Sequence, residues 1–290
     1  MSQPPSAPPA RRFSRRKFLG LSALTGVGSI AGVSAYAHLL EPEQLSITEK
    51  DIQLPNLPDD LDGIRIAQLT DFHYKPEDHK VLADAVASIN QITPDIIFLT
   101  GDYVDEPSNL AELVSHFEKL HAPYGIYACI GNHDHWKGAP RVLGKALRSV
   151  GVRILVNEGT VRRIRDTPVY ILATDSIWAG KPDLDKCYAN HNGEPVIALV
   201  HEPDYFDEFT SKYPLDLQLS GHTHGGQCRI PLVDVAPFSV PYGRNYVYGE
   251  FPHPTQQNAR LFVSRGLGTT AIRVRFACPP ELAVLTLRKS

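Results

Sequence analysis

Hydrophobic positions in the first half of the chain alternate between two spacings. Ile64 to Leu69 is a mostly apolar run. Beyond it Val81, Leu82, Ala85, Val86 and Ile89 recur at helical intervals, and Pro94-Asp95 opens a second apolar run from Ile96 to Leu99. This pattern predicts strand, helix, strand. Leu110, Leu113, Val114, Phe117 and Leu120 then mark one face of another helix, and Gly125 to Ile130 marks a third strand. Each strand ends in polar residues: Thr70-Asp71-Phe72-His73, Thr100-Gly101-Asp102 and Gly131-Asn132-His133-Asp134. Parallel strands joined by helices carry their functional loops on one sheet edge, so Asp71, His73, Asp102, Asn132 and His133 are expected to converge.

The second half has a different texture. A helix from about Pro140 to Val150 leads into short strand-like runs at Val152 to Val156, Thr160 to Ile164 and Val169 to Ala173. Pro195 to Val200 ends in His201-Glu202-Pro203-Asp204. The alternating run Leu215 to Leu219 ends in Ser220-Gly221-His222-Thr223-His224-Gly225-Gly226, where glycines let the backbone turn sharply. Leu261 to Val263, Arg273 to Phe276 and Leu282 to Leu287 read as three further short strands, and residues 38 to 62 as a leader strand and turn. Helices cluster early and strands late, and no Pro/Gly/Ser linker separates them. The expected class is α/β (α+β), one domain with two packed sheets and helices outside.

Charge changes the picture at the amino terminus. The net charge is −3, but Arg11, Arg12, Arg15, Arg16 and Lys17 stand among residues 1 to 37 without an acid. The remainder therefore carries 24 of the 29 basic side chains against all 32 acidic ones, a net of −8. An acidic body has no electrostatic footprint for nucleic acid, and no nucleic-acid partner is expected. Ser14-Arg15-Arg16-Lys17-Phe18-Leu19-Gly20, the uncharged run from Phe18 to Leu40 and the small-x-small Ala35-Tyr36-Ala37 resemble a twin-arginine (Tat) export signal. That resemblance implies partnership with the Tat machinery and residence in the periplasm or cell-envelope space. Residues 1–37 are then a cleaved signal peptide, with cleavage after Ala37 the favoured reading, or an N-terminal membrane anchor; 23 residues at ~1.5 Å each could just cross a ~30 Å hydrocarbon core. Cys129, Cys187, Cys228 and Cys278 are widely spaced without a Cys-x-x-Cys pair; Cys129 and Cys278 flank apolar runs and are expected as buried thiols.

The strand-end donors are Asp71, His73, Asp102, Asn132, His201, His222 and His224. Carboxylate, amide and imidazole donors without thiolate suit manganese, iron or zinc. Seven donors exceed the needs of one ion, whereas two ions sharing a carboxylate would use them all, a recurring arrangement in phosphoryl chemistry. Asp-x-His, Gly-Asp, Gly-Asn-His-Asp, a lone histidine after a strand, and Gly-His-x-His, in that order, resemble the calcineurin-like metallophosphoesterases. The resemblance spans roughly residues 43–290, the extent expected for that domain. It is close to a Tat-exported bacterial branch, whose pattern Leu99 to Asp105, Ser220 to Gln227, Tyr242-Gly243-Arg244 and Ser264 to Gly268 also follow.

The resemblance implies a four-layer αββα sandwich of two mixed β-sheets. It gives Asp71, His73 and His224 to one divalent metal, Asn132, His201 and His222 to the other, and Asp102 to both. It also implies hydrolysis of phosphodiesters, with phosphomonoesters as further substrates, by metal-activated hydroxide attack on phosphorus. His133 is then the catalytic residue that protonates the leaving oxygen or stabilises phosphoryl charge, with Asp102 and Asn132 holding the reacting centre, and Asp134 orients His133. Manganese is the expected metal, with iron or zinc as alternatives, because Tat cargo crosses folded and could be loaded in the cytoplasm. The substrate would be a small-molecule or lipid-linked phosphate ester. One alternative is an envelope pyrophosphatase acting on a UDP-sugar lipid, of the UDP-2,3-diacylglucosamine hydrolase type; another is a non-catalytic metal-bearing envelope binding module. Membrane association would run through residues 18–40. Glu202 stands where a neutral residue is expected, Asp175 and Trp178-Ala179-Gly180 are candidate pocket walls, and Arg244 is a candidate phosphate contact. His135 and Trp136 lie close enough to the site to touch substrate. His79, His116, His121, His135, His191 and His253 are expected to be satisfied or surface histidines rather than ligands.

Overall fold

The structure is a computed structural model that describes residues 28–290 apart from 139, 238 and 257. The twin-arginine block and the start of the uncharged run lie outside the described residues. Twelve described strands form two six-stranded sheets. In the first, the spatial order is β1 (Ser46–Leu54), β12 (Glu281–Lys289), β2 (Arg65–Leu69), β3 (Ile96–Thr100), β4 (Ile126–Cys129) and β5 (Val152–Ile154). Strands β2 to β5 run parallel, and β12 returns antiparallel to β2 and parallel to β1. The second sheet orders β10 (Gly249–Pro252), β11 (Arg260–Val263), β9 (Leu217–Ser220), β8 (Val196–Leu199), β7 (Thr167–Ala173) and β6 (Glu158–Ile164). Its four inner strands are parallel and both edge strands antiparallel.

Side chains alternate across each strand, and this parity builds the layers. Ile96 and Phe98 of β3 face the second sheet and pack with Ile171, Ile197, Leu199, Leu217 and Leu219 in the central core. Ile97 and Leu99 face the other way, onto α1 (His79–Ile92), α2 (Leu110–Phe117) and α4 (Pro140–Ser149). On the far side Leu172 and Ala198 pack against α5 (Leu184–Tyr188) and α6 (Phe206–Lys212). One-turn α3 (Asn132–Trp136) follows β4 directly. The molecule is thus helix, sheet, sheet, helix. Both faces of both sheets are covered, which is why their strands read as continuous apolar runs.

Sequence pattern missed several elements and misread one. Helix α6 buries only Phe206, Phe209 and Thr210 within seven residues, too short a stretch for a period to show. Strand β10 is an edge strand that buries none of its residues, and α5 is a single turn capped by Asp183. Arg273 to Phe276 is not a strand; among the described residues it makes one bridge, Cys228 to Phe276. Its organiser is Arg275, whose fully buried guanidinium donates to the carbonyls of Arg265, Gly266, Gly268 and Cys278. Backbone groups that a ladder would have paired are held by a side chain instead. Cys129 and Cys278 are buried thiols, and all four cysteines are unbonded.

Candidate metal centre

The carboxyl ends of β2, β3, β4, β8 and β9 meet at the seam between the sheets. Inter-loop backbone bonds fix them: Asp71 N–H donates to Gly101, His73 N–H to Asp102, and Gly221 N–H to His201, at 3.0, 3.1 and 3.1 Å. To turn inward so abruptly, Asp71, His73, Asp102, His222 and His224 all adopt positive φ, between 37° and 73°. Such geometry is uncommon outside glycine and costs about 1–3 kcal/mol per residue, so the surrounding bonds must over-determine it. Glycines provide close approach: a Cβ on Gly131 would lie 2.2 Å from Asp102 Oδ1, and one on Gly221 would lie 2.2 Å from Asp71 Oδ2.

All seven strand-end donors are buried here. Ligand atoms of Asp71, His73 and His224 lie within 4.8 Å of one another, as do those of Asp102, His201 and His222 and, less deeply buried, those of His73, Asp105 and His133. Asp102 Oδ2 reaches towards both groups, 3.1 Å from His201 Nε2 and 3.5 Å from His73 Nε2. The outward ring nitrogens of three histidines meet groups that can only accept: His73 Nδ1 the Asp105 carboxylate at 2.9 Å, His201 Nδ1 the Thr100 carbonyl at 2.6 Å, and His222 Nε2 the Pro241 carbonyl at 2.7 Å. Once neutral, each of these rings would aim a lone pair inward, the way outer acceptors orient metal-binding imidazoles. His224 Nε2 faces His73 Nε2 at 3.2 Å. Among the described residues, Asn132 Oδ1 and His224 Nδ1 are buried without a hydrogen-bond partner. Inward lone pairs, unpartnered buried donors and two carboxylates fit divalent cations.

The charges are strongly coupled. Burial pushes the Asp102 carboxyl up, but His201 and His73 outweigh it and hold the group well below the usual carboxylate range. Burial lowers the His73 imidazole, yet hydrogen bonds and charge from Asp102 and Asp105 push it up to about 10. Burial drives Asp71 upward. Without cations, protons on histidine are what balance the buried carboxylates.

Two acids take roles that differ from the sequence reading. Asp134 does not orient His133; its carboxylate accepts the backbone N–H groups of Gly131, Asp102 and Tyr103 at 2.8, 3.0 and 3.0 Å, tying the β3 and β4 loops together. Asp105, which sequence reasoning passed over, lies 3.3 Å from His133 Nδ1 as well as 2.9 Å from His73. Its signal was its spacing of three residues from Asp102. Although burial pushes Asp105 up, His133 and His73 hold it well below its ordinary value.

Glu202 is fully buried and takes the Ser176 hydroxyl and the N–H groups of Ile177 and Trp178. It anchors the loop that sets Trp178 against His222, ring centres 5.7 Å apart. Trp136 packs on Trp178 and on His133, so the expected pocket wall is an exposed aromatic rim. His135 lies against Asp175 at 2.6 Å. Arg244 presents its backbone to Asp204 and its side chain to the surface. His79 and His116 lie against each other, and His191 and His253 bond to nearby backbone, all apart from the two donor groups.

Residues 64–226 match the calcineurin-like phosphoesterase family, and the chain belongs to the metallophosphoesterases, metal-dependent hydrolases of phosphoric esters. It is 33% identical to the uncharacterized metallophosphoesterase YkuE of Bacillus subtilis, over 97% of this chain and 99% of that one. It is 32% identical to the phosphodiesterase YaeI of Escherichia coli, over 95% and 99%. Identity to the UDP-2,3-diacylglucosamine pyrophosphatase LpxG of Chlamydia muridarum is 28%, over 86% and 91%. The NAD nucleotidase NadN of Haemophilus influenzae shares the fold, with a TM-score of 0.50 at 13% identity, covering 70% of this chain and 45% of that one.

Proposed function

We propose that the protein is an envelope phosphodiesterase with a dinuclear centre. Asp71, His73 and His224 hold one cation, Asn132, His201 and His222 the second, and Asp102 both. The observation that carries this is the pair of buried donor groups meeting at Asp102, with three rings turned inward by outer acceptors. When bound, the cations supply Lewis-acid activation of water and neutralise phosphoryl charge. The protein's own part is to fix the donors on strained, cross-braced loops and to place His133 beside the substrate as proton donor. Similarity to LpxG favours a second reading, cleavage of a lipid-linked pyrophosphate. Metal-depleted protein reloaded with single ions and assayed on a chromogenic diester, a monoester and a nucleotide-sugar pyrophosphate separates the two. Activity on none of them would remove both.

Manganese is the proposed resident metal, loaded before export. Stoichiometric zinc in protein purified from the envelope would contradict it. The domain is proposed to span residues 43–290, with the amino-terminal segment retained rather than cleaved after Ala37. Retention is supported by Ala37, which is buried with its carbonyl accepting from Arg275 N–H, and by His38, whose carbonyl accepts from Arg273. Cleavage after Ala37 would cut a docked segment. Replacing Arg15 and Arg16 together by Lys is expected to leave the protein in the cytoplasm, read by fractionation; unchanged export would remove the twin-arginine assignment.

Metal loading should depend on pH. His73, raised from 6.5 to about 10, keeps a proton at neutral pH, and Nε2 must give it up to become a ligand. Loading should therefore release protons, and affinity should rise with pH. For the metal-free fold the sign is that of a raised histidine: its stabilisation is complete below pH 6.5 and is lost as the pH rises through about 10. Chelator-treated protein should thus lose melting temperature at alkaline pH while loaded protein does not. Parallel pH profiles would contradict this.

A further inference from the structure

Beside the centre the molecule exposes aliphatic surface that its fold does not use. Residues 229–236 form a small hairpin closed by Ile230 and Val235. Ile230, Leu232, Val233 and Val235 all project into solvent, Leu232 completely, and Ile272 does so on the neighbouring loop. The hairpin's one acid, Asp234, is internally paired with Arg229 at 2.6 Å and with the Tyr248 hydroxyl at 2.9 Å. The two loops are joined, since Arg229 N–H donates to the Phe276 carbonyl and Gln227 reaches the carbonyls of Thr270 and Ile272. Adjoining the start of the hairpin at Cys228 is a groove of about 280 Å³, predominantly apolar, whose lining includes His224, Val240, Ile272 and Val274. Thr270 and Ala271 also line a second groove of about 740 Å³, to which Lys75, Asp105, His133 and Lys137 contribute. The site therefore lies where an apolar groove meets one that holds charged side chains.

The amino-terminal segment arrives at the same edge. Arg275 N–H donates to Ala37 on one side of the 273–276 stretch, while Cys228 and Phe276 bridge on the other. Leu39 and Leu40 are exposed there, at the end of the uncharged run that starts at Phe18. Exposed aliphatic surface of this extent marks an interaction site, and the occupant is indicated by what the patch lacks. It offers aliphatic tips and no unpaired charge, and it continues an uncharged apolar segment, as suits the boundary between headgroups and acyl chains.

We propose that the 229–236 hairpin, with Ile272, docks on a lipid bilayer and seats the apolar groove against it, so that the phosphoester cleaved belongs to a membrane-embedded amphiphile. The choice of substrate rests on the phosphoesterase reading; the docking does not. The test uses the full, metal-loaded chain with Leu232→Trp, and with Val161→Trp on β6, the opposite edge of the second sheet, as comparison. In phosphatidylethanolamine and phosphatidylglycerol vesicles with brominated acyl chains, Leu232→Trp should gain at least about threefold more quenching than Val161→Trp, as expected for a side chain 5–10 Å deep. Equal quenching, or none, overturns the docking.

The second arm compares Leu232→Asp/Val233→Asp with the parent on two p-nitrophenyl esters, bis(p-nitrophenyl) phosphate in solution and hexadecyl p-nitrophenyl phosphate in vesicles. The variant should lose at least about tenfold on the vesicle-borne ester, given the aliphatic area withdrawn from the membrane, and stay within about twofold on the soluble one. Equal losses on both overturn the proposal, as does a self-association that the variant abolishes without any quenching in the first arm. A parent that hydrolyses neither ester removes the phosphoesterase reading instead and leaves the quenching result standing.

Discussion

Asp102→Asn should leave a folded protein that binds neither cation stoichiometrically and loses hydrolysis of a chromogenic diester by more than about 100-fold, the upper cost of removing a mere outer-shell partner. The amide keeps the carboxylate's shape, so what is tested is charge. Oδ2 lies 3.1 Å from His201 and 3.5 Å from His73, one histidine from each donor group, and Oδ1 accepts His133 N–H at 2.9 Å. An amide can still accept the last bond, but it cannot neutralise two dications. The metal-free protein offers an independent readout. His201 and His73 are raised against the effect of burial chiefly by Asp102, so both imidazoles should titrate at lower pH in the variant. Elemental analysis, activity and histidine titration by NMR should move together. Full activity with intact metal content would end the bridging assignment.

Most of this centre could be read from the chain because β2, β3, β4, β8 and β9 are inner strands, whose apolar runs stop abruptly at polar residues. Fold periodicity thus pointed at Asp71, Asp102, Asn132, His201 and His222 together. The supporting groups were hidden for a physical reason: their meaning lies in contacts across long sequence separations. Asp105 precedes Glu106 and reads as a solvated acidic turn, yet it faces His73 and His133. Asp134 follows His133 directly, which suggests a local partner, but α3 turns its carboxylate back onto the β3 loop. A lone arginine after a glycine-rich loop gives no sign that it will be buried as Arg275 is, closing the Gly266 to Gly268 loop over Asp71.

The same contacts explain why the strained loops hold. Gly268 N–H donates to the Asp71 carbonyl and Leu267 N–H to Thr70, while both Asp71 oxygens accept His222 N–H at 2.9 Å. The loops that carry the first and last candidate donors are therefore locked to each other, 151 residues apart in sequence. Pre-organisation of this kind confines the donors before any cation arrives, and the cost of the positive φ angles is met in folding, not in binding.

His133→Ala should retain metal, because His133 lies outside the two fully buried groups assigned to the cations, and should lose turnover in a way that depends on the leaving group. The ring stands beside the centre with its centroid 4.5 Å from that of His73, and Asp105 lies 3.3 Å from Nδ1. If it delivers a proton to the departing oxygen, an alkyl phosphodiester should slow by about 10²–10⁴, the usual range for general acid catalysis. A p-nitrophenyl ester, whose leaving group departs as a stable anion, should slow far less. Asp105→Asn should show the same dependence more weakly and add partial metal loss, since the Asp105 carboxylate also fixes the His73 ring. Rates for a series of diesters with graded leaving-group pKa, measured beside metal content, separate these effects: a steeper dependence in His133→Ala than in the parent supports proton delivery. Equal slopes would confine His133 to stabilising phosphoryl charge.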